Sequence, residues 1–181
     1  WIVKTDALGV IQWQNTIGGT SNDYLYSFAQ TTDGGYVLGG FSYSNISGDK
    51  TENSNGDLDY WIVKTDNTGA IQWQKTIGGS GKDDLRSVVQ TTDGGYILGG
   101  YSESNISGDK TENSNGFSDY WIVKTDSLGA IQWQNTLGGY GEEFLFSLIQ
   151  TSDGGYIFGG RSNSYISGDK TEHSNAGDDY W

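Results

Sequence analysis

Asp59-Tyr60-Trp61-Ile62-Val63-Lys64-Thr65-Asp66, followed by Gly69 and by Ile71-Gln72-Trp73-Gln74, is the stretch whose reading decides the fold. It recurs. Trp1, Trp61 and Trp121 each open a copy of WIVKTD, and Trp13, Trp73 and Trp133 each sit in a copy of IQWQ. Trp181 stands where a fourth copy would begin. The spacing is 60 residues, without a gap. A period this long means one supersecondary unit per repeat, as in a solenoid, a propeller or an array. Helical periodicity is missing while strand and turn signals are dense, so the expected class is all-β.

Four strands can be drawn per repeat. In the second copy they are Leu85 to Thr91, Tyr96 to Ser102, Tyr120 to Thr125 and Ile131 to Leu137. The turn Thr92-Asp93-Gly94-Gly95 joins the first two, its Asp-Gly step supplying the positive φ of a tight hairpin. Asp126-Ser127-Leu128-Gly129 joins the last two, and a long polar loop from Glu103 to Asp119 separates the pairs. The runs VVQ, YIL and WIV are apolar on both sides, the pattern of strands buried on both faces. The glycine pair Gly99-Gly100 and its equivalents would admit a neighbouring sheet or an indole at close range.

Composition narrows the function classes. With 23 Asp+Glu against 10 Lys+Arg the net charge is -13. Nucleic acid is an unsuitable partner for so acidic a chain, because Lys and Arg must neutralise its phosphates; anionic membrane surfaces are disfavoured likewise. No apolar run approaches the length of a membrane span. There are 29 Gly and no Pro, Cys or Met. Thiol chemistry and disulfides are thereby excluded. Gly together with abundant Trp, Tyr and Ile indicates packed strands joined by tight turns.

The chain begins with the third and fourth strands of a unit (residues 1–17) and ends with the first two strands of another (145–162) and two residues of a third. Complete units are 25–77 and 85–137, and the remaining one is split between the termini. If the termini meet, the N-terminal pair completes the C-terminal one, which would leave no open sheet edge. Propellers typically have about four to eight blades, so three units are too few to close alone. A homodimer forming a six-bladed ring, or a longer array, is expected. The competing fold is a β-trefoil.

Several residues carry resemblances. Asp6, Gly9 and Trp13, repeated as Asp66, Gly69 and Trp73 and as Asp126, Gly129 and Trp133, resemble the tryptophan-docking motif of quinoprotein-type propellers. That resemblance implies a Trp packed on the next blade and an Asp fixing the turn. The YVLGG and YILGG strands are similar to those of kelch repeats. The whole unit is similar to repeats of large exported bacterial surface proteins, which implies an extracellular or cell-surface location and no established activity.

The loop Thr51, Asn53, Asn55, Gly56, Asp59 resembles the calcium loop of integrin-type propeller repeats, and Thr111, Asn113, Asn115, Gly116, Asp119 repeats it. The third copy departs, with His173 and Ala176 beside Thr171, Asn175 and Asp179. Alternating oxygen ligands with a sharp-turn Gly suit Ca²⁺, the one cofactor expected. The bland alternative is a loop whose Asn and Asp side chains bond local backbone. Catalytic residues are not expected. His173, the sole histidine, replaces an Asn of the other copies, and Asp83-Asp84 and Glu142-Glu143 read as solvated loop carboxylates.

Differences between copies mark a candidate binding surface. Phe41, Tyr43 and Asn45 become Tyr101, Glu103 and Asn105, then Arg161, Asn163 and Tyr165, with alternation placing them on one face. A second variable run contains Tyr24, Tyr26, Arg86, Tyr140, Phe144 and Phe146, an aromatic and charged mixture suited to an interface. The expected function is non-enzymatic: a scaffold or binding module for protein or glycan. A purely structural spacer and a carbohydrate-active enzyme fragment are the alternatives.

Overall fold

The computed structural model describes residues 1–175 and 177–181. Ala176 of the third loop therefore lies outside the described residues. The chain is all-β, with antiparallel strands throughout and no helix among the described residues. Strands β1 (Ile2–Thr5) and β2 (Ile11–Asn15) form a two-stranded sheet. A four-stranded meander follows: β3 (Asp23–Gln30), β4 (Tyr36–Ser42), β5 (Asp59–Thr65) and β6 (Ile71–Ile77). Its copy is β7 (Asp83–Gln90), β8 (Tyr96–Ser102), β9 (Asp119–Thr125) and β10 (Ile131–Leu137). The last sheet has three strands, β11 (Glu143–Gln150), β12 (Tyr156–Ser162) and β13 (Asp179–Tyr180).

Turn chemistry sets these meanders locally. Gly34, Gly94 and Gly154 stand at φ of 86°, 84° and 88° in the hairpins before β4, β8 and β12. In those turns the Asp33, Asp93 and Asp153 carboxylates accept the backbone N–H two residues on. A β-bulge recurs in the first strand pair of the three larger sheets, at Leu25/Ser27, Leu85/Ser87 and Leu145/Ser147. The unpaired residues are thus Tyr26, Arg86 and Phe146. A bulge turns such a side chain away from the regular pleat.

In the two inner sheets apolar residues on both faces bury against a neighbour on each side. Leu38, Trp61 and Val63 pack towards Ile2 and Ile17. On the opposite face of the same sheet Val37, Tyr60 and Ile62 join Leu85, Val88 and Trp121 of the next. Ile97, Tyr120 and Ile122 then pack on Leu145 and Leu148. Four sheets therefore stack with three apolar layers between them. The Gly pairs admit aliphatic side chains rather than indoles: Cβ at Gly39 would lie 2.9 Å from both Leu85 and Val88.

The stack is also stitched by polar contacts repeating at the same period. Tyr60 Oη donates to the Trp121 carbonyl at 2.9 Å, and Tyr120 Oη to that of Trp181 at 2.7 Å. The Trp13 indole N–H donates to the Asn67 carbonyl of the following sheet at 3.1 Å, beside Gly69. Trp13, Trp73 and Trp133 each meet a tyrosine of the next sheet, Tyr36, Tyr96 and Tyr156, with ring centroids 5.7–5.8 Å apart.

The termini do not meet within the chain, as expected of three units too few to close alone: β1 pairs only with β2, and β13 only with β12. The sheets are therefore not closed. One expectation changes: the first and third strands begin earlier than read, so Asp83, Asp84 and Glu143 are buried strand residues rather than solvated loop carboxylates, and the candidate calcium ligand Asp119 is likewise a buried strand residue. Every named strand pairs inside its own meander, whereas a trefoil would share a barrel between repeats.

Candidate functional site

The residues that differ between repeats converge at one end of the sheets, where β3, β7 and β11 begin and β4, β8 and β12 end. Cross-strand register sets Tyr24 opposite Phe41, Asp84 opposite Tyr101 and Phe144 opposite Arg161. In the first sheet Phe41 contacts Tyr43, Tyr24 and Tyr26, with centroids 5.9, 4.9 and 5.6 Å away. The Arg86 guanidinium, from the second sheet, lies 4.0 Å above the Tyr26 ring and 5.6 Å from Tyr101. Tyr101 meets Phe144 edge-on at 4.4 Å, and Arg161 covers the Phe144 ring at 4.4 Å. A continuous ladder of aromatic and guanidinium planes thus crosses three sheets.

The ladder is neither fully buried nor fully free. Phe41 is buried and serves as its base, while Tyr24, Tyr26 and Tyr43 are exposed. Arg86 is anchored by Asp84, 2.7 Å from Nε, and Tyr101 Oη donates to the same carboxylate at 2.9 Å. Burial raises the Asp84 carboxyl and Arg86 opposes that rise, a pairing that holds the guanidinium plane in place. Arg161 pairs with Asp178 in the same manner. Tyr140 and Tyr165 stand outside the ladder, both exposed, in loops at the same end. Ser167 joins those loops, its Oγ accepting the Tyr140 N–H and donating to the Tyr165 carbonyl.

Beneath this end lie carboxyl pairs that the sequence reading missed. Asp59 of one sheet neighbours Asp83 of the next, and Asp119 neighbours Glu143; all four are buried. Burial raises Asp59 to about 6, and the charge of Asp83 adds to the rise. Burial and the Glu143 carboxyl likewise raise Asp119. Asp59 Oδ1, Asp83 Oδ1 and Asp119 Oδ1 are buried with no hydrogen-bond partner, which adds to the cost of ionising these carboxyls. A signal existed: within the variable run, residues 23, 83 and 143 are always acidic.

The calcium-like loop does not gather its oxygens. Thr51, Asn53 and Asn55 are exposed, as are Thr111, Asn113 and Asn115, whereas Asp59 and Asp119 are buried below them. Asn53 Oδ1 accepts the Ile46 N–H at 3.1 Å, and Asn113 Oδ1 that of Ile106 at 3.0 Å. Asn55 and Asn115 turn amide N–H groups to the Gly78 and Gly138 carbonyls. Each Asp instead accepts the backbone N–H of its Asn, Asp59 from Asn55 at 2.5 Å and Asp119 from Asn115 at 2.7 Å. Among the described residues no group of three acidic, His or Cys side chains is placed to hold a metal. Among the described residues no helix is long and apolar enough to cross a membrane.

A scan against protein-family models finds no match, and no curated protein sequence matches the chain.

Proposed function

We propose that the sheets are blades of a propeller-type array and that the aromatic ladder is a recognition strip for a protein or glycan partner. The chain would act as a non-enzymatic module of an exported bacterial surface protein. The observation that carries this reading is the ladder itself. Eight residues at positions that vary between otherwise near-identical repeats meet in one connected row. Tyr and Arg planes held by packing present contact area at low entropic cost, the property of binding hot spots. The similarity of the 60-residue unit to surface-protein repeats supports an extracellular setting.

The test is a glycan array and a pull-down from extracellular material, run on the native chain and on Tyr26→Ala, Tyr43→Ala, Tyr140→Ala and Tyr165→Ala. Loss of binding by about tenfold or more at the ladder positions, with melting curves unchanged, supports the reading. Unchanged affinity in Tyr26→Ala and Tyr43→Ala would refute it, Tyr140→Ala and Tyr165→Ala serving as controls outside the ladder. A native chain that binds nothing would leave the structural-spacer reading in its place.

A further inference from the structure

The two outer faces of the stack are apolar and unlike one another. On the N-terminal face Phe28 is 68% exposed, whereas Val88, its equivalent one sheet on, is 2% exposed. Leu25 and Trp1 are likewise exposed where Leu85 and Trp121 are buried. They border a cleft of about 440 Å³ that Tyr36 and Leu38 also line. On the C-terminal face Tyr180 is 100% exposed, whereas its equivalents Tyr60 and Tyr120 are buried. A second cleft of about 440 Å³ opens there over Phe146, Gly159 and Gly160.

The interior junctions show what covers such faces. Leu85 and Val88 fill the space over Gly39, and Leu145 and Leu148 fill that over Gly99. Over Gly159 a Cβ would meet no side chain, only the Trp181 carbonyl at 3.7 Å. Leu25 and Phe28 are the knobs of this repeating contact without a hole, and Gly159 is the hole without knobs. Polar partners divide the same way. The Val88 N–H donates to Ser27 Oγ and that of Leu148 to Ser87 Oγ, so Ser147 awaits the N–H of residue 28. Sheet edges agree as well: β12 lacks most of its next strand, and β1 lacks the strand that β4 provides for β5.

We propose that a second copy of this chain docks head to tail, its β1–β2 pair completing the sheet begun by β11 and β12. Carried over from β4 and β5, the register sets Ile2 of that copy opposite Gly159 and Val3 opposite Phe158. Trp181, already bonded to Gly160 through both backbone groups, holds the place of Trp1, which swings out. Leu25 and Phe28 of the incoming copy close over Gly159. Two such junctions close a dimer of two chains into one ring of sheets. The faces are heterologous, so neither can pair with itself. This inference does not depend on the ladder binding a ligand.

Light scattering coupled to gel filtration tests it on the native chain, which should elute with twice the chain mass. Phe28→Asp disables only the N-terminal face and Gly159→Glu only the C-terminal face; both sites are open in the single chain, so each variant should keep its circular dichroism spectrum. Each alone should be monomeric. Mixed in equal amounts they should form a one-to-one dimer, because one intact junction remains. A monomeric native chain overturns the proposal, as does a dimer that survives in both variants or a mixture that stays monomeric.

Discussion

Replacing Asp59 by Asn tests whether the buried carboxyl pairs control stability. The Asp59 carboxyl is raised from 3.8 to about 6 by burial, with Asp83 beside it. A raised carboxyl favours the folded state while it is protonated. Its contribution is fully present below the unfolded value of 3.8 and is lost as pH rises through about 6. That gap, at about 1.4 kcal/mol per pH unit, amounts to about 3 kcal/mol, of which about 2 kcal/mol falls between about pH 4.5 and pH 7.5. Asn has the shape of the protonated acid and its carbonyl can still accept the Asn55 N–H. Urea unfolding at the two pH values should therefore show the native chain losing about 2 kcal/mol more than Asp59→Asn. Running both in the Phe28→Asp background keeps association out of the measurement. Net charge also disfavours the folded state as pH rises, so exposed Asp57→Asn serves as the control for general repulsion. Equal pH slopes in Asp59→Asn and Asp57→Asn would refute the reasoning.

Trp121→Ala should cost about 3–5 kcal/mol, since the indole is fully buried between two sheets, and urea unfolding would measure the loss. Trp133→Ala, at a partly exposed ring, should cost clearly less; equal losses would contradict the layer assignment. Gly94→Ala should destabilise by about 1–2 kcal/mol because φ of 84° is strained for any residue with Cβ, and a thermal melt would show it. Because the Asn53 and Asn55 side chains are already bonded to backbone groups, melts with chelator and with added Ca²⁺ should coincide; a rise in Tm with Ca²⁺ would show that the loop rearranges around the ion.

Strand positions were legible because they rest on local rules. Tyr96–Ser102 and Ile131–Leu137 were read with the bounds they have, each preceded by a turn whose glycine, Gly94 or Gly129, takes positive φ. Burial on both faces was legible too, since Tyr60-Trp61-Ile62-Val63 has no polar face to give to water. The ladder was half legible. Variation between copies marked its members, but adjacency of Tyr26 to Arg86 depends on a bulge in each sheet and on the spacing of the stack.

The buried acids were read the wrong way because composition favours exposure for consecutive carboxylates such as Asp83-Asp84. Only the stacked sheets show Asp83 beneath a neighbouring Asp59, where desolvation outweighs its hydrogen bonds to Gly79 and Ser104. One period of sequence by itself determined the repeat, the strands, the turns and the all-β class, because each follows from side chains within that period. The tertiary structure decided which faces meet, which carboxyls lose water and which surfaces stay open. Those depend on the neighbouring sheet, and a repeat has the same sequence whether or not a neighbour covers it.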